Sequence, residues 1–147
     1  MIGLIVTGHG HFATGLKSAL ALLGGEPSDF VAVDFPDGDT TEDLAAKLTA
    51  ALDELAGCEG VLVCCDLLGG SPFKAAVVLA QGRDDVRVIA GTNLPLLIET
   101  HLTRAGFNSV DALADAAIAS GHASLVKFEM PAGANDDDDD DDEDDDI

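Results

Sequence analysis

Three short stretches of this 147-residue chain hold residue types that could do chemistry. The first is Thr7-Gly8-His9-Gly10-His11. Glycines on both sides of His9 permit close approach of another molecule. The second opens with Asp66, directly after the apolar run Val61–Cys65. An aspartate that accepts a hydrogen bond from the Nδ1–H of an imidazole fixes the tautomer and leaves Nε2 with a free lone pair. Such a pairing makes a histidine an oriented nucleophile at neutral pH. The third is Gly69-Gly70-Ser71-Pro72. Pro72 suits the first position of a helix, with Ser71 as its N-cap. A glycine-rich entry to a helix offers free N–H groups and the positive end of the dipole to an anion. A phosphoryl group on His9, with about two negative charges, needs such donors. The Gly-Lys-Ser/Thr of a nucleotide-binding loop does not follow. Taken singly, each motif has a plain reading as well: a surface histidine, a loop aspartate, a well-capped helix. Lys74, one turn into that helix, is expected in solvent, and His11 is expected as an exposed residue of the cap region.

These residues act together only if secondary structure brings them to one place. Four apolar runs, Ile2–Val6, Phe30–Phe35, Val61–Cys65 and Val86–Ala90, have the continuous character of strands covered on both faces. Helical spacing fills the gaps. Phe12, Leu16, Ala19, Leu20 and Leu23 recur on one face, and Gly24-Gly25 stops that helix. Leu44, Leu48, Ala51, Leu52 and Leu55 repeat the pattern behind Thr40 and Asp43, a variant capping box. Further helices are expected over Ser71–Gln81, Leu94–Arg104 and Val110–Gly121, with a short edge strand over Ala123–Phe128. Alternating strands and helices predict an α/β fold. Its core is an open, mainly parallel four-stranded sheet with helices on both faces and right-handed crossovers. In the order 2-1-3-4, strand 3 lies beside strand 1, which carries Asp66 towards His9 at the carboxyl edge of the sheet.

Composition narrows the possible partners. The net charge is −21, and eleven of the 28 acidic residues form the run 136–146. The body before that run still has 17 acids against seven bases. Binding to nucleic acid or to an anionic membrane surface, each of which needs a basic footprint, is disfavoured. The three cysteines lack Cys-x-x-Cys spacing and read as reduced, buried thiols of a cytoplasmic protein. The four histidines have no metal-ligand spacing. No signal peptide is expected, because Met1 leads straight into Ile2-Gly3-Leu4-Ile5-Val6 without a basic segment. No apolar stretch reaches the ~18–20 residues a spanning helix requires. A domain over 1–130 is expected, followed by a disordered polyaspartate tail over 131–147.

The quoted motifs resemble a known family, the enzyme IIA domains of the mannose/fructose/sorbose class of the bacterial phosphoenolpyruvate-dependent sugar phosphotransferase system. Ile2-Gly3-Leu4-Ile5-Val6-Thr7-Gly8-His9-Gly10 is similar to that family's first strand and phosphorylated-histidine loop. Asp66-Leu67-Leu68-Gly69-Gly70-Ser71-Pro72-Phe73 resembles its Asp-x-x-Gly-Gly-Ser-Pro-Phe motif. Gly91-Thr92-Asn93-Leu94-Pro95-Leu96-Leu97-Ile98-Glu99 resembles its Gly-x-Asn-x-Pro-Met-x-x-Glu segment, with Leu96 in place of Met. The resemblance extends over residues 1–128. It implies that His9 accepts a phosphoryl group from the carrier HPr and passes it to a histidine of a IIB component. It further implies that Asp66 orients His9 and that Ser71 contacts the phosphoryl group. Gly69 and Gly70, at the helix entry, are expected beside Ser71 in holding it, and no cofactor or metal is required, because donor and acceptor are both side chains. A homodimer with an exchanged C-terminal strand, matched here by Ala123–Phe128, is also implied. The acidic tail lies outside the family pattern. Other readings stay open on the residues alone. One is a stand-alone regulatory IIA whose phosphorylation reports nutrient supply. Another is a hydrolase built on Ser71, His9 and Asp66, although no Gly-x-Ser-x-Gly elbow is present. A third is a non-catalytic interaction module.

Overall fold

A computed structural model describes residues 1–133 of the chain. Four strands, β1 (Gly3–His9), β2 (Phe30–Phe35), β3 (Val61–Cys65) and β4 (Val86–Ile89), form one sheet in the order β2-β1-β3-β4. All three pairings are parallel. The helices are α1 (Phe12–Gly24), α2 (Thr41–Glu54), α3 (Ser71–Ala80), α4 (Leu94–Thr103) and α5 (Val110–Ser124), with a 3-10 turn at Arg104–Gly106. The apolar runs of the sequence are the strands because both faces are covered. Leu4, Val6, Leu62 and Cys64 pack with α1, α4 and α5 through Leu20, Leu97 and Leu113. Ile5, Val33, Val63 and Cys65 pack with α2 and α3 through Leu44, Leu48 and Ala76. The capping box of α2 forms as expected: Asp43 N donates to Thr40 Oγ1 at 3.1 Å and Thr40 N to Asp43 Oδ2 at 2.9 Å.

Several boundaries differ from the sequence reading. β1 runs on through Thr7, Gly8 and His9, because these residues stay in register with Val33, Asp34 and Phe35 of β2. His9 is therefore the last residue of a strand and not part of a free loop. The N-cap of α3 is Gly70, so Ser71 and Pro72 are its first two residues, and Ser71 does not cap. α5 passes through Gly121 to Ser124 instead of stopping at the glycine. A Cβ at Gly121 would lie 2.9 Å from Leu96 Cδ1, so this glycine serves close packing of α5 on α4. The expected edge strand over Ala123–Phe128 is not formed. Ala123 and Ser124 complete α5, and Leu125–Phe128 pair with none of the four strands. The polyaspartate run lies outside the described residues.

The topology creates one crevice at the carboxyl edge. From β1 the chain leaves towards the α1 face, and from β3 it leaves towards the α3 face. β1 and β3 are neighbours, so the two connections diverge between them, which is where open α/β sheets bind ligands. The opposite edge is closed by a buried cation. The Arg104 guanidinium is 1% exposed and donates to the carbonyls of Ile2 (3.1 Å) and Asp29 (2.9 Å), and also to that of Ser28. It satisfies carbonyls where β1 and β2 begin, far from the crevice.

Candidate functional site

His9 and Asp66 stand on the two sides of the crevice and meet across it. His9 Nδ1 lies 2.7 Å from Asp66 Oδ2. The same oxygen accepts the backbone N–H of His9 at 2.9 Å, and Oδ1 accepts the N–H of Leu67 at 2.7 Å. A carboxylate only accepts, so in the neutral ring Nδ1 carries the proton and Nε2 keeps its lone pair. Burial pushes the Asp66 carboxyl upward, but the bonds from the His9 amide, the His9 ring and the Leu67 amide outweigh it and hold the group below its ordinary value. It is ionised at neutral pH. The backbone of Asp66 is itself fixed, since its N–H donates to Thr7 O at 3.2 Å and its carbonyl accepts from Gly91 N at 3.1 Å. The imidazole is 47% exposed, while the Asp66 side chain is 15% exposed. The pair thus presents a shielded carboxylate behind a half-open ring.

Sterics explain the glycines around it. A Cβ on Gly8 would lie 2.4 Å from Phe12 Cδ1 and 2.9 Å from Asp66 Cγ, so a larger residue would drive Asp66 away from the ring. A Cβ on Gly70 would lie 2.7 Å from His9 Cε1. The entry to α3 therefore rests against the ring atom between the two nitrogens. Gly69 adopts φ +79° in a tight turn closed by Gly70 N and Leu67 O at 3.2 Å. The first intrahelical bond of α3 runs from Lys74 N to Gly70 O at 2.9 Å. The N–H groups of Ser71 and Phe73 precede it and are available to an anion at the helix N-terminus. The Phe35 ring stands edge-on to His9, with centroids 6.0 Å apart and planes at 62°.

The structure thus brings His9, Asp66, Gly69 and Gly70 together, with Ser71 next in line. The Ser71 hydroxyl bonds to neither His9 nor Asp66, which removes the geometric basis for a hydrolase triad. Lys74 is exposed, as expected, and among the described residues it makes no salt bridge. Among the described residues there is no cluster of His, Cys, Asp and Glu suited to a metal ion. The two neighbouring cysteines are buried and inert: burial raises the Cys64 thiol, and burial with the charge of Asp66 pushes Cys65 up to about 12.

An oriented imidazole whose free nitrogen lies beside the N-terminus of a helix is suited to carrying a phosphoryl group. A family model described as the fructose IIA component of the PTS, the phosphotransferase system, matches residues 3–118. The chain belongs to that family. It is a IIA component of the mannose/fructose/sorbose class. The mannose-specific EIIAB component of Escherichia coli K12 is 36% identical over 120 residues, which is 82% of this chain and 37% of that relative. The chain thus spans little more than a third of that protein. The fructose-specific EIIA component of Bacillus subtilis is 34% identical over 99 residues, covering 67% of this chain and 68% of the relative. A crystal structure of an EIIA component from Streptococcus agalactiae superposes with TM-score 0.79 at 35% identity, over 87% of this chain and 98% of that one. The mannose/sorbose-specific IIA subunit of Enterococcus faecalis gives 0.80 at 29% identity, over 88% of this chain and 96% of that one. IIA components are phosphotransferase carriers.

Residues outside the expected set also touch the site. Phe35 bonds to Gly10 through its backbone, Asp34 beside it binds Thr14 and His11, and Leu67 and Leu68 expose their side chains on the turn after Asp66. One signal for Asp34 was present in the sequence. It is the single charged residue in the strand Phe-Val-Ala-Val-Asp-Phe.

Proposed function

We propose that this IIA component takes a phosphoryl group from HPr onto Nε2 of His9 and hands it to a histidine of a IIB component in sugar uptake. The observation that carries the reading is the 2.7 Å bond from His9 Nδ1 to a shielded Asp66 carboxylate, with the ring otherwise half exposed. The Nε2 lone pair attacks the phosphorus of the donor's phosphohistidine. One N–P bond forms as the other breaks, and no proton need move at Nδ1. Positive charge gathers on the His9 ring during transfer, and the Asp66 carboxylate stabilises it. The phosphoryl oxygens take the N–H groups of Ser71 and Phe73 and the Ser71 hydroxyl, with Gly69 and Gly70 allowing the approach. Phosphoryl transfer between imidazoles depends on positioning and charge more than on covalent help from the protein, so neither cofactor nor metal is invoked.

Docking of the carriers fits the surface around His9. Leu67 and Leu68 are 59% and 75% exposed on the adjoining turn. A groove of about 300 Å³ between α2 and α3 begins at Ser71 and is lined by Lys74, Ala75 and Val78. The acidic body complements a basic patch on the donor, and transfer rates then fall as salt is added. Beyond α5, Leu125, Val126 and Phe128 are 85%, 80% and 79% exposed. A second copy that received this segment as an exchanged strand would cover them, giving a homodimer. The protein works in the cytoplasm, where its partners are, without contact to nucleic acid. No helix among the described residues is long and apolar enough to cross a membrane.

The test is labelling. The chain is mixed with phosphoenolpyruvate, enzyme I and HPr, and the mass is read for one acid-labile, base-stable phosphate. We expect labelling of the wild type and of His11→Ala, and none of His9→Ala. A folded wild-type chain that takes no label from its matched HPr would overturn the reading.

A further inference from the structure

Asp66 sets the direction of the His9 ring, but it does not by itself hold the backbone on the far side of His9. That backbone is gripped from β2. Gly10 N donates to Phe35 O at 2.7 Å, and Phe35 N donates back to Gly10 O at 3.2 Å. These two bonds pin the residue after His9. The neighbouring Asp34 grips the next turn. Its Oδ1 accepts Thr14 N at 3.0 Å, and its Oδ2 accepts Thr14 Oγ1 at 2.7 Å and lies 3.2 Å from His11 Nδ1.

The need for this grip follows from how α1 starts. Its N-cap residue is His11, whose side chain makes no capping bond, and its first turn contains no acidic residue. The Thr14 N–H would be an orphan of the first turn if α1 stood alone. Asp34 supplies the missing cap from another strand, and it puts a negative charge at the positive end of the α1 dipole. The Asp34 side chain is 16% exposed, which shields these bonds from water. Residues 10, 11 and 14 are thus tied to β2, and His9 sits between that tie and the Asp66 bond.

We infer that Asp34 is a positioning residue for transfer at His9: it fixes the β1–α1 junction so that Nε2 stays in line with the donor phosphorus. The inference rests on the phosphocarrier reading above. It differs from a purely structural role in what it moves. Loss of the grip lets the His9 backbone shift while Asp66 still holds the ring. The rate at saturating donor therefore falls more than the apparent affinity for the donor, because a misplacement of about 1 Å costs up to about 100-fold in rate.

The experiment is rapid-quench labelling of the full chain by phosphorylated HPr at a series of concentrations. It compares wild type, Asp34→Ala, Asp34→Asn and Thr14→Val, each checked for folding. We expect Asp34→Ala to lower the saturating rate about tenfold with KM for HPr changed less than twofold. Asp34→Asn keeps an acceptor for Thr14 N and recovers the rate to within about threefold of wild type. Asp34→Ala running at the wild-type rate would overturn the inference, and so would Asp34→Asn being as slow as Asp34→Ala. If Asp34→Ala does not fold, Thr14→Val decides, since it deletes one partner at an exposed position. A rate about threefold below wild type supports the inference, and an unchanged rate overturns it. A wild-type chain that takes no label at all would instead sink the phosphocarrier reading, and this inference with it.

Discussion

His9 and His11 are two residues apart, and each imidazole rests its Nδ1 near an aspartate. His9 Nδ1 is 2.7 Å from Asp66 and His11 Nδ1 is 3.2 Å from Asp34. The surroundings separate them. The His9 ring is 47% exposed and backed by Gly70 at the start of α3. The His11 ring is 81% exposed and belongs to the N-cap residue of α1. Asp66 spends its hydrogen bonds on His9 and on the turn that approaches His9. Asp34 accepts two of its three bonds from Thr14 and so serves α1 first. An aspartate beside a histidine does not make a reactive site on its own. On the proposed reading, what the carboxylate does with its remaining lone pairs, and which donors face the free nitrogen, decide which imidazole carries phosphate.

The comparison breaks most sharply at Asp66. Asp66→Ala removes the tautomer lock and the charge behind the ring, and we expect the labelling rate to fall about 1000-fold or more, read by rapid quench. A fall under tenfold would show that the two pairs are not different in kind. Gly70→Ala comes next. Its Cβ would sit 2.7 Å from His9 Cε1, so the ring must move. The expected loss is about 100-fold with the fold intact by circular dichroism, and a wild-type rate would mean the ring position is not critical. His11→Ala is the small effect: within about threefold of wild type in the same assay, because Asp34 keeps both Thr14 bonds.

A pH series sharpens the same contrast through stability. Asp34 is pushed up by burial and brought below its ordinary value by the bonds from Thr14 and His11, and Asp66 is likewise held low. Both groups release protons more readily folded than unfolded. Their stabilisation is therefore complete above the unfolded value of about 3.9 and is lost as pH falls below it towards the depressed folded values. Urea titrations between pH 5 and pH 3 should show stability falling with acid, and less steeply in Asp34→Asn and Asp66→Asn. An unchanged slope in both variants would contradict the assigned bonds.

Much of the architecture was legible because apolar runs and helical spacing are local signals. Val61–Cys65 and the Thr40–Asp43 cap were read at their observed positions. What the sequence hid depended on distant partners. Thr7-Gly8-His9 carries no strand signal of its own and is a strand only because β2 runs alongside. Gly121 reads as a helix stop until Leu96 is seen beneath it. Ser71 reads as a cap, but Gly70 takes that place because it must pass the His9 ring. Asp34 looks like an odd charge in an apolar strand until the start of α1 is seen to lack a cap of its own. The His9–Asp66 pair itself could be inferred, because strand order alone brings the ends of β1 and β3 together.

The most direct test of the central claim is where on which ring the phosphorus lands. The chain, with its histidines 15N-labelled, would be phosphorylated through enzyme I and HPr and examined by phosphorus and nitrogen NMR. The account predicts a single phosphohistidine, at Nε2 of His9, with Nδ1 still protonated against Asp66. Phosphorus on Nδ1 of His9, or on His11, would contradict it.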